Sequence, residues 1–162
     1  HESDEGGGMM IGEMVHFIDL MQFVAGAKPV SVHARAVSVG RDDVADRDNL
    51  AISLAFDDGS VGTLNYNTIG DKAAPKERLE VFGGGMVAVL DDFRRLDVTR
   101  GGKISTSKSM NQDKGQSLQI AATLDGFKAH GAAPIPFEEL VTGMRAVFAA
   151  GRSLSSGESV SV

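Results

Sequence analysis

Leu50-Ala51-Ile52-Ser53-Leu54-Ala55-Phe56 runs straight into Asp57-Asp58-Gly59-Ser60 and then into Val61 to Thr68. In the first run every second residue is large and apolar, the period of a strand with one buried face. The Asp-Asp-Gly-Ser quartet is turn chemistry, so the two runs read as an antiparallel hairpin. The same pattern recurs on both sides. Upstream, Val30, Val32 and Ala34 alternate with Ser31, His33 and Arg35, and a phase shift at Ala36-Val37 predicts a bulge there. Downstream, Leu79 to Phe82 and Met86 to Leu90 flank Gly83-Gly84-Gly85, and Asp91-Asp92 turns the chain into Phe93 to Thr99. The middle of the chain is thus a series of consecutive antiparallel strands, with 69–75 as the longest interruption.

Helical patterns bracket these strands. Met10, Met14, Phe17, Met21 and Val24 recur at spacings of four and three, the stripe of a buried helix, with Gly26 as its stop and Pro29 beyond. Residues 1–8 are acidic and Gly-rich and read as a flexible segment ahead of a single domain over 9–162. The stretch 101–115 is polar and predicts an exposed, mobile loop. A helix over Gln116 to His130 carries Ile120, Leu124 and Phe127. A last helix follows Pro134-Ile135-Pro136 and carries Phe137, Leu140, Val141, Met144, Val147, Phe148 and Leu154. Glu138 and Glu139 fall in its favourable first turn, and Gly157 ends it. Val160-Ser161-Val162 adds a short final strand. Strands in a run and helices in a run indicate α+β: a mainly antiparallel open sheet of about six or more strands with three helices on one face. The other face must meet solvent or a partner, so a homo-oligomer formed through it is expected.

At 162 residues the chain is one domain's worth, and 42% hydrophobic with 23% charged residues is a soluble globular composition. Sixteen Lys and Arg against 22 Asp and Glu leave a net charge of -6, which argues against nucleic acid or an anionic membrane as partner. Cysteine is absent, which removes thiolate chemistry and fits a cytoplasmic protein. The most apolar run, Met9 to Val24, contains Glu13, His16 and Asp19 and is too short and too charged to span a bilayer. The chain opens on His1, so either a segment was removed or this is a piece of a longer protein.

Familiar nucleotide and metal signatures fail. Gly6-Gly7-Gly8-Met9-Met10-Ile11 has Ile where a dinucleotide fingerprint needs its third glycine, and Gly101-Gly102-Lys103-Ile104 lacks the spacing of a phosphate loop. No cofactor-binding or metal-binding residues are therefore expected in this chain. The best local constellation is on the first helix. Glu13 and His16 stand three residues apart on its polar flank, with Asp19 further round, and an acid beside an imidazole can move a proton. On local sequence alone, hydrogen bonds from Glu13 and His16 to neighbouring loops are the simpler reading. Lys76, Arg94 and Lys114 lie in charged turns that offer cations to a polar ligand or are simply solvated. His33 reads as a surface-face strand residue, His130 as a helix-end residue, and Tyr66, the only tyrosine, as a half-buried sheet aromatic.

The opening Gly6-Gly7-Gly8-Met-Met-Ile-Gly12-Glu13-Met-Val-His16-Phe17-Ile18-Asp19-Leu20, with Gly26 after it, resembles the first helix of the C-terminal domain of the Gfo/Idh/MocA oxidoreductases. Pro75-Lys76-Glu77-Arg78-Leu79-Glu80-Val81-Phe82-Gly83, Asp91-Asp92-Phe93-Arg94, Asp113-Lys114-Gly115 and Pro134-Ile135-Pro136-Phe137 extend the likeness over nearly the whole chain. The resemblance implies a substrate-binding and oligomerisation domain. Its partner is an N-terminal Rossmann domain that holds NAD or NADP and is missing from this sequence. The implied reaction oxidises or reduces a hydroxyl-bearing carbon of a sugar, cyclitol or related small polar substrate. His16 matches the family's acid–base histidine. Many members place an aspartate four residues before it; here Gly12 stands there, and Glu13 is expected to replace it. Asp19, Lys76, Arg94 and Lys114 are the substrate-binding candidates. Without the Rossmann half and its lysine the chain should be inactive alone. The competing reading is a stand-alone α+β binding or dimerisation module without catalysis.

Overall fold

The computed structural model describes residues 8–38, 40 and 48–162. Most of the segment expected to be flexible, up to residue 7, therefore lies outside the described residues. The class is α+β, with eight strands and three α-helices. The helices are α1 (Val15–Ala25), α2 (Gln116–His130) and α3 (Phe137–Ser156). The strands are β1 (Pro29–Ala36), β2 (Leu50–Phe56), β3 (Val61–Tyr66), β4 (Arg78–Gly83), β5 (Met86–Asp91), β6 (Arg95–Arg100), β7 (Lys103–Lys108) and β8 (Val160–Ser161). They do not form one sheet. Two antiparallel four-stranded sheets occur, in the orders β3-β2-β1-β8 and β4-β5-β6-β7. The chain divides accordingly into two compact units, residues 1–69 with 135–162, and residues 70–134.

The first unit holds every fully buried apolar side chain among the described residues. Alternation in β2 works as its sequence demands: Leu50, Ile52, Leu54 and Phe56 point inward and Ala51 and Ser53 outward. Register carries that face across the sheet, since Val32 pairs with Leu54, Ala34 with Ile52, Ile52 with Leu64 and Leu50 with Tyr66. The helices α1 and α3 cover this face. Along α1 and the residue just before it the buried residues are Met14, Ile18 and Gln22, while Phe23 and Val24 are exposed. The core line is thus displaced from the Met14-Phe17-Met21-Val24 stripe, and Phe17 and Met21 flank it, half-buried.

On α3 the buried positions are small: Gly143, Ala146, Val147, Ala149, Ala150 and Ser153. Phe137, Leu140 and Phe148 are exposed, contrary to the apolar pattern, because they lie off the small-residue face that the helix buries. Gly26 and Gly157 end their helices in the left-handed conformation, as expected of helix stops. The β1–β2 irregularity lies between Pro29 and Ser31, not at Ala36-Val37. Proline has no N–H to give the ladder, so pairing slips at the start of the strand.

In the second unit Gly84 and Gly85 adopt positive φ in the two-residue β4–β5 turn. The stretch read as a mobile loop contains β7, which pairs with β6 over Lys103–Lys108. All six of its residues are exposed, so its sequence shows no apolar alternation. As an edge strand with lysine at both ends it is protected from further pairing. Phe82, Ile104, Leu118, Ile120, Leu124 and Phe127 are all more than half exposed.

Candidate active site

Helix α1 is preceded by a π-helical turn, Met10–Met14, so Glu13 and His16 are not one regular α-turn apart. Gly12, the weakest helix former of that stretch, sits inside the π-turn. Such single π-turns within helices occur frequently at functional sites. Glu13, within the π-turn, and His16, in the first turn of α1, are both exposed. No hydrogen bond or ion pair joins them, so they stand as two separate accessible groups, one in the π-turn and one in α1. Asp19 follows one turn later and is half-buried.

Tyr66 closes this side of the first unit. It ends β3 on the inner face, opposite Leu50, and its ring meets Phe17 edge-on with centroids 6.0 Å apart. Burial pushes its phenol above the ordinary tyrosine range, and the carboxylates of Glu13 and Asp48 push it further. The half-buried sheet aromatic expected from sequence is what the structure contains. Its closeness to Glu13 was invisible there, because tens of residues separate positions 13 and 66 in the chain.

The cationic candidates belong to the second unit. Lys76 is exposed in the loop before β4. Lys114 is held, its ammonium 2.6 Å from Glu77 Oε1 and 5.4 Å from the centre of the Phe93 ring. Glu77 Oε2 is buried with no hydrogen-bond partner among the described residues. Arg94 lies 3.6 Å from Asp92 Oδ2, and Gln112 donates to the other oxygen of Asp92 at 2.8 Å. Asp92 and Phe93 both take positive φ, 49° and 51°, in the turn Asp92-Phe93-Arg94 between β5 and β6. That conformation is unfavourable for a phenylalanine. It is held by Arg94 N–H on Asp91 O (2.9 Å), Asp92 N–H on Glu77 O (2.8 Å) and Ser109 N–H on Arg94 O (2.8 Å). Structure thus brings Arg94 and Lys114 to the same turn, each already paired with a carboxylate. The Lys114–Glu77 pair spans 37 residues and has no local sequence signal.

Residues 1–87 match the sequence profile of the GFO/IDH/MocA C-terminal domain, more than half of the chain. The chain belongs to this family. No curated protein matches the sequence. Among solved structures, similarity extends to an NAD binding oxidoreductase from Klebsiella pneumoniae at 18% identity and TM-score 0.82, covering 99% of this chain and 52% of that one. An aldose-aldose oxidoreductase from Caulobacter crescentus matches at 17% identity and TM-score 0.76, over 97% of this chain and 48% of that one. A UDP-N-acetylglucosamine 3-dehydrogenase from Acidithiobacillus ferrooxidans matches at 19% identity and TM-score 0.76, over 95% and 49%. The family's fold is therefore shared throughout this chain, and the chain spans about half the length of these structures. No helix among the described residues is long and apolar enough to cross a membrane.

Proposed function

We propose that this chain is the substrate-side domain of an NAD(P)-dependent oxidoreductase acting on a hydroxyl-bearing carbon of a sugar, cyclitol or related molecule. The observation that carries the reading is His16: an accessible imidazole in the first turn of α1, at the position of the family's acid–base histidine. Family membership and neighbours described as an NAD binding oxidoreductase and a UDP-N-acetylglucosamine 3-dehydrogenase support it. The residues of this chain do not fit the dinucleotide itself. Every strand pair among the described residues is antiparallel, so the glycine-rich turn of a parallel βαβ unit has no place here. NAD or NADP belongs to another domain of the full-length enzyme, and this chain alone is inactive.

What its own residues supply is proton chemistry and orientation. The His16 imidazole takes the proton of the substrate hydroxyl and returns it in the reverse direction. Glu13, in the π-turn, orients or relays through that ring. Asp19 accepts hydrogen bonds from neighbouring hydroxyls of the substrate. The second unit by itself offers Lys76, Arg94 and Lys114 as cations for a polar ligand, and Arg94 and Lys114 are already paired with Asp92 and Glu77. In the full-length enzyme, His16→Gln should lower turnover by roughly two to four orders of magnitude and leave cofactor affinity unchanged. Wild-type turnover in that variant would remove the catalytic assignment.

We also propose a homo-oligomer built through the open sheet face. Apolar side chains left exposed in the second unit, Phe82 and Ile104 on its strands among them, support association. Light scattering at high concentration reads this directly, and a strict monomer refutes it.

A further inference from the structure

We infer that Tyr66 is a substrate-binding residue of the His16 site, its hydroxyl donating a hydrogen bond to an oxygen of the hydroxyl-bearing substrate. The inference rests on the proposed function and adds a residue to it.

The placement is built by the fold. Register puts Tyr66 opposite Leu50, on the sheet face that α1 covers. The helix crosses β3 with Met21 over Gly62, where a methyl group in place of the glycine hydrogen would lie 2.7 Å from Met21 Sδ, and with Phe17 against the Tyr66 ring. His16 and Phe17 are consecutive in the first turn of α1, and the Glu13 carboxylate is close enough to act on the Tyr66 phenol. The Tyr66 ring reaches Phe17 from the strand side. It is also held there. Asn49, fully buried, accepts the Thr68 N–H at 2.7 Å and the Thr68 hydroxyl at 3.3 Å, which pins the chain two residues beyond Tyr66.

The hydroxyl itself has no hydrogen bond to another described residue, although it is the only polar atom of a half-buried ring. A half-buried phenol ordinarily finds a partner. Burial and the carboxylates of Glu13 and Asp48 keep it protonated, and a protonated phenol is a donor. A donor whose ring packs on Phe17, the residue next to His16 in the chain, suits a substrate with adjacent oxygens: one oxygen gives its proton to His16 while a neighbouring oxygen accepts from Tyr66.

The test uses the full-length enzyme with NAD or NADP and with D-glucose and myo-inositol as probes, comparing Tyr66→Phe, His16→Gln and wild type. Tyr66→Phe should raise the KM of the probe that is turned over about 3- to 10-fold, the loss of one hydrogen bond. It should change kcat and the cofactor KM less than about twofold and leave the thermal midpoint unchanged, because phenylalanine keeps the Phe17 contact. A merely structural tyrosine would move the midpoint and not KM. If KM is unchanged in Tyr66→Phe while His16→Gln abolishes turnover, this inference is wrong and the proposed function stands. If His16→Gln keeps full turnover, or wild type turns over neither probe, the proposed function falls and this inference with it.

Discussion

Replacing Ser153 by alanine removes one hydroxyl from the centre of the first unit, and its cost follows from two hydrogen bonds. β8 pairs with β1 only at Ser31 and Val32. Further along that edge, Ala34 N–H has no strand to bond and donates instead to Ser153 Oγ at 2.9 Å. The same hydroxyl donates to Glu158 O at 2.6 Å, tying the end of α3 to the approach to β8. Ser153 is 0% exposed and Ala34 is 1% exposed, so water does not reach the N–H when the oxygen is gone. A buried donor left without a partner costs about 1–3 kcal/mol, and the lost bond to Glu158 adds about 1 kcal/mol. The expected destabilisation is therefore roughly 2–4 kcal/mol, a fall in thermal midpoint of about 4–15 °C for a chain of this size. The chain has a single tyrosine and no tryptophan, and Tyr66 lies in the same unit, so tyrosine fluorescence during urea unfolding reports the right transition. Ser155→Ala, on an exposed turn of the same helix, is the control and should change stability by less than about 0.5 kcal/mol. If Ser153→Ala is as stable as that control, the hydroxyl does not complete the sheet edge and the reasoning is wrong.

Two further predictions concern the second unit. Helix propensity alone says that Gly126→Ala in α2 should stabilise by about 1 kcal/mol. A Cβ there would lie 2.6 Å from the backbone carbonyl oxygen of Ala132, which cannot swing aside like a side chain, so a net loss of about 1–3 kcal/mol is expected. Hydrogen exchange over 116–134 should show weaker protection, and a gain in protection would contradict it. The Thr106 hydroxyl and then the Arg95 guanidinium hold the Asp97 carboxyl below the ordinary aspartate range. A carboxyl depressed in the folded state contributes stability above its unfolded pKa and loses it as pH falls through the folded value. Thr106→Val should raise the Asp97 midpoint and weaken the acid dependence of stability, and an unmoved NMR titration would show that the 2.6 Å bond does not act on the carboxyl.

Signals confined to a few neighbouring residues were legible in the sequence. Alternation in Leu50–Phe56 and its Asp-Asp-Gly-Ser turn are properties of adjacent residues, and the hairpin they specify is present. The same holds for the stops at Gly26 and Gly157 and for α2 over Gln116–His130, because a cap or a period acts within one or two turns. His16 was found through the family motif around it. Pairing and burial were a different matter, since both depend on what arrives from elsewhere in the chain. Nothing between Gly101 and Gly115 alternates, yet β6 supplies the hydrogen bonds that make β7 a strand. Which stripe of α1 is buried was decided by α3 and the sheet, which cover Met14, Ile18 and Gln22 and leave Phe23 and Val24 outside. Only the tertiary structure divided the strands into two sheets, set Tyr66 against Phe17 beside Glu13, and put the Ser153 hydroxyl where a strand hydrogen bond was missing. Each of these joins residues separated by tens to more than a hundred positions, and such contacts form only when the packed core has already closed the loops between them.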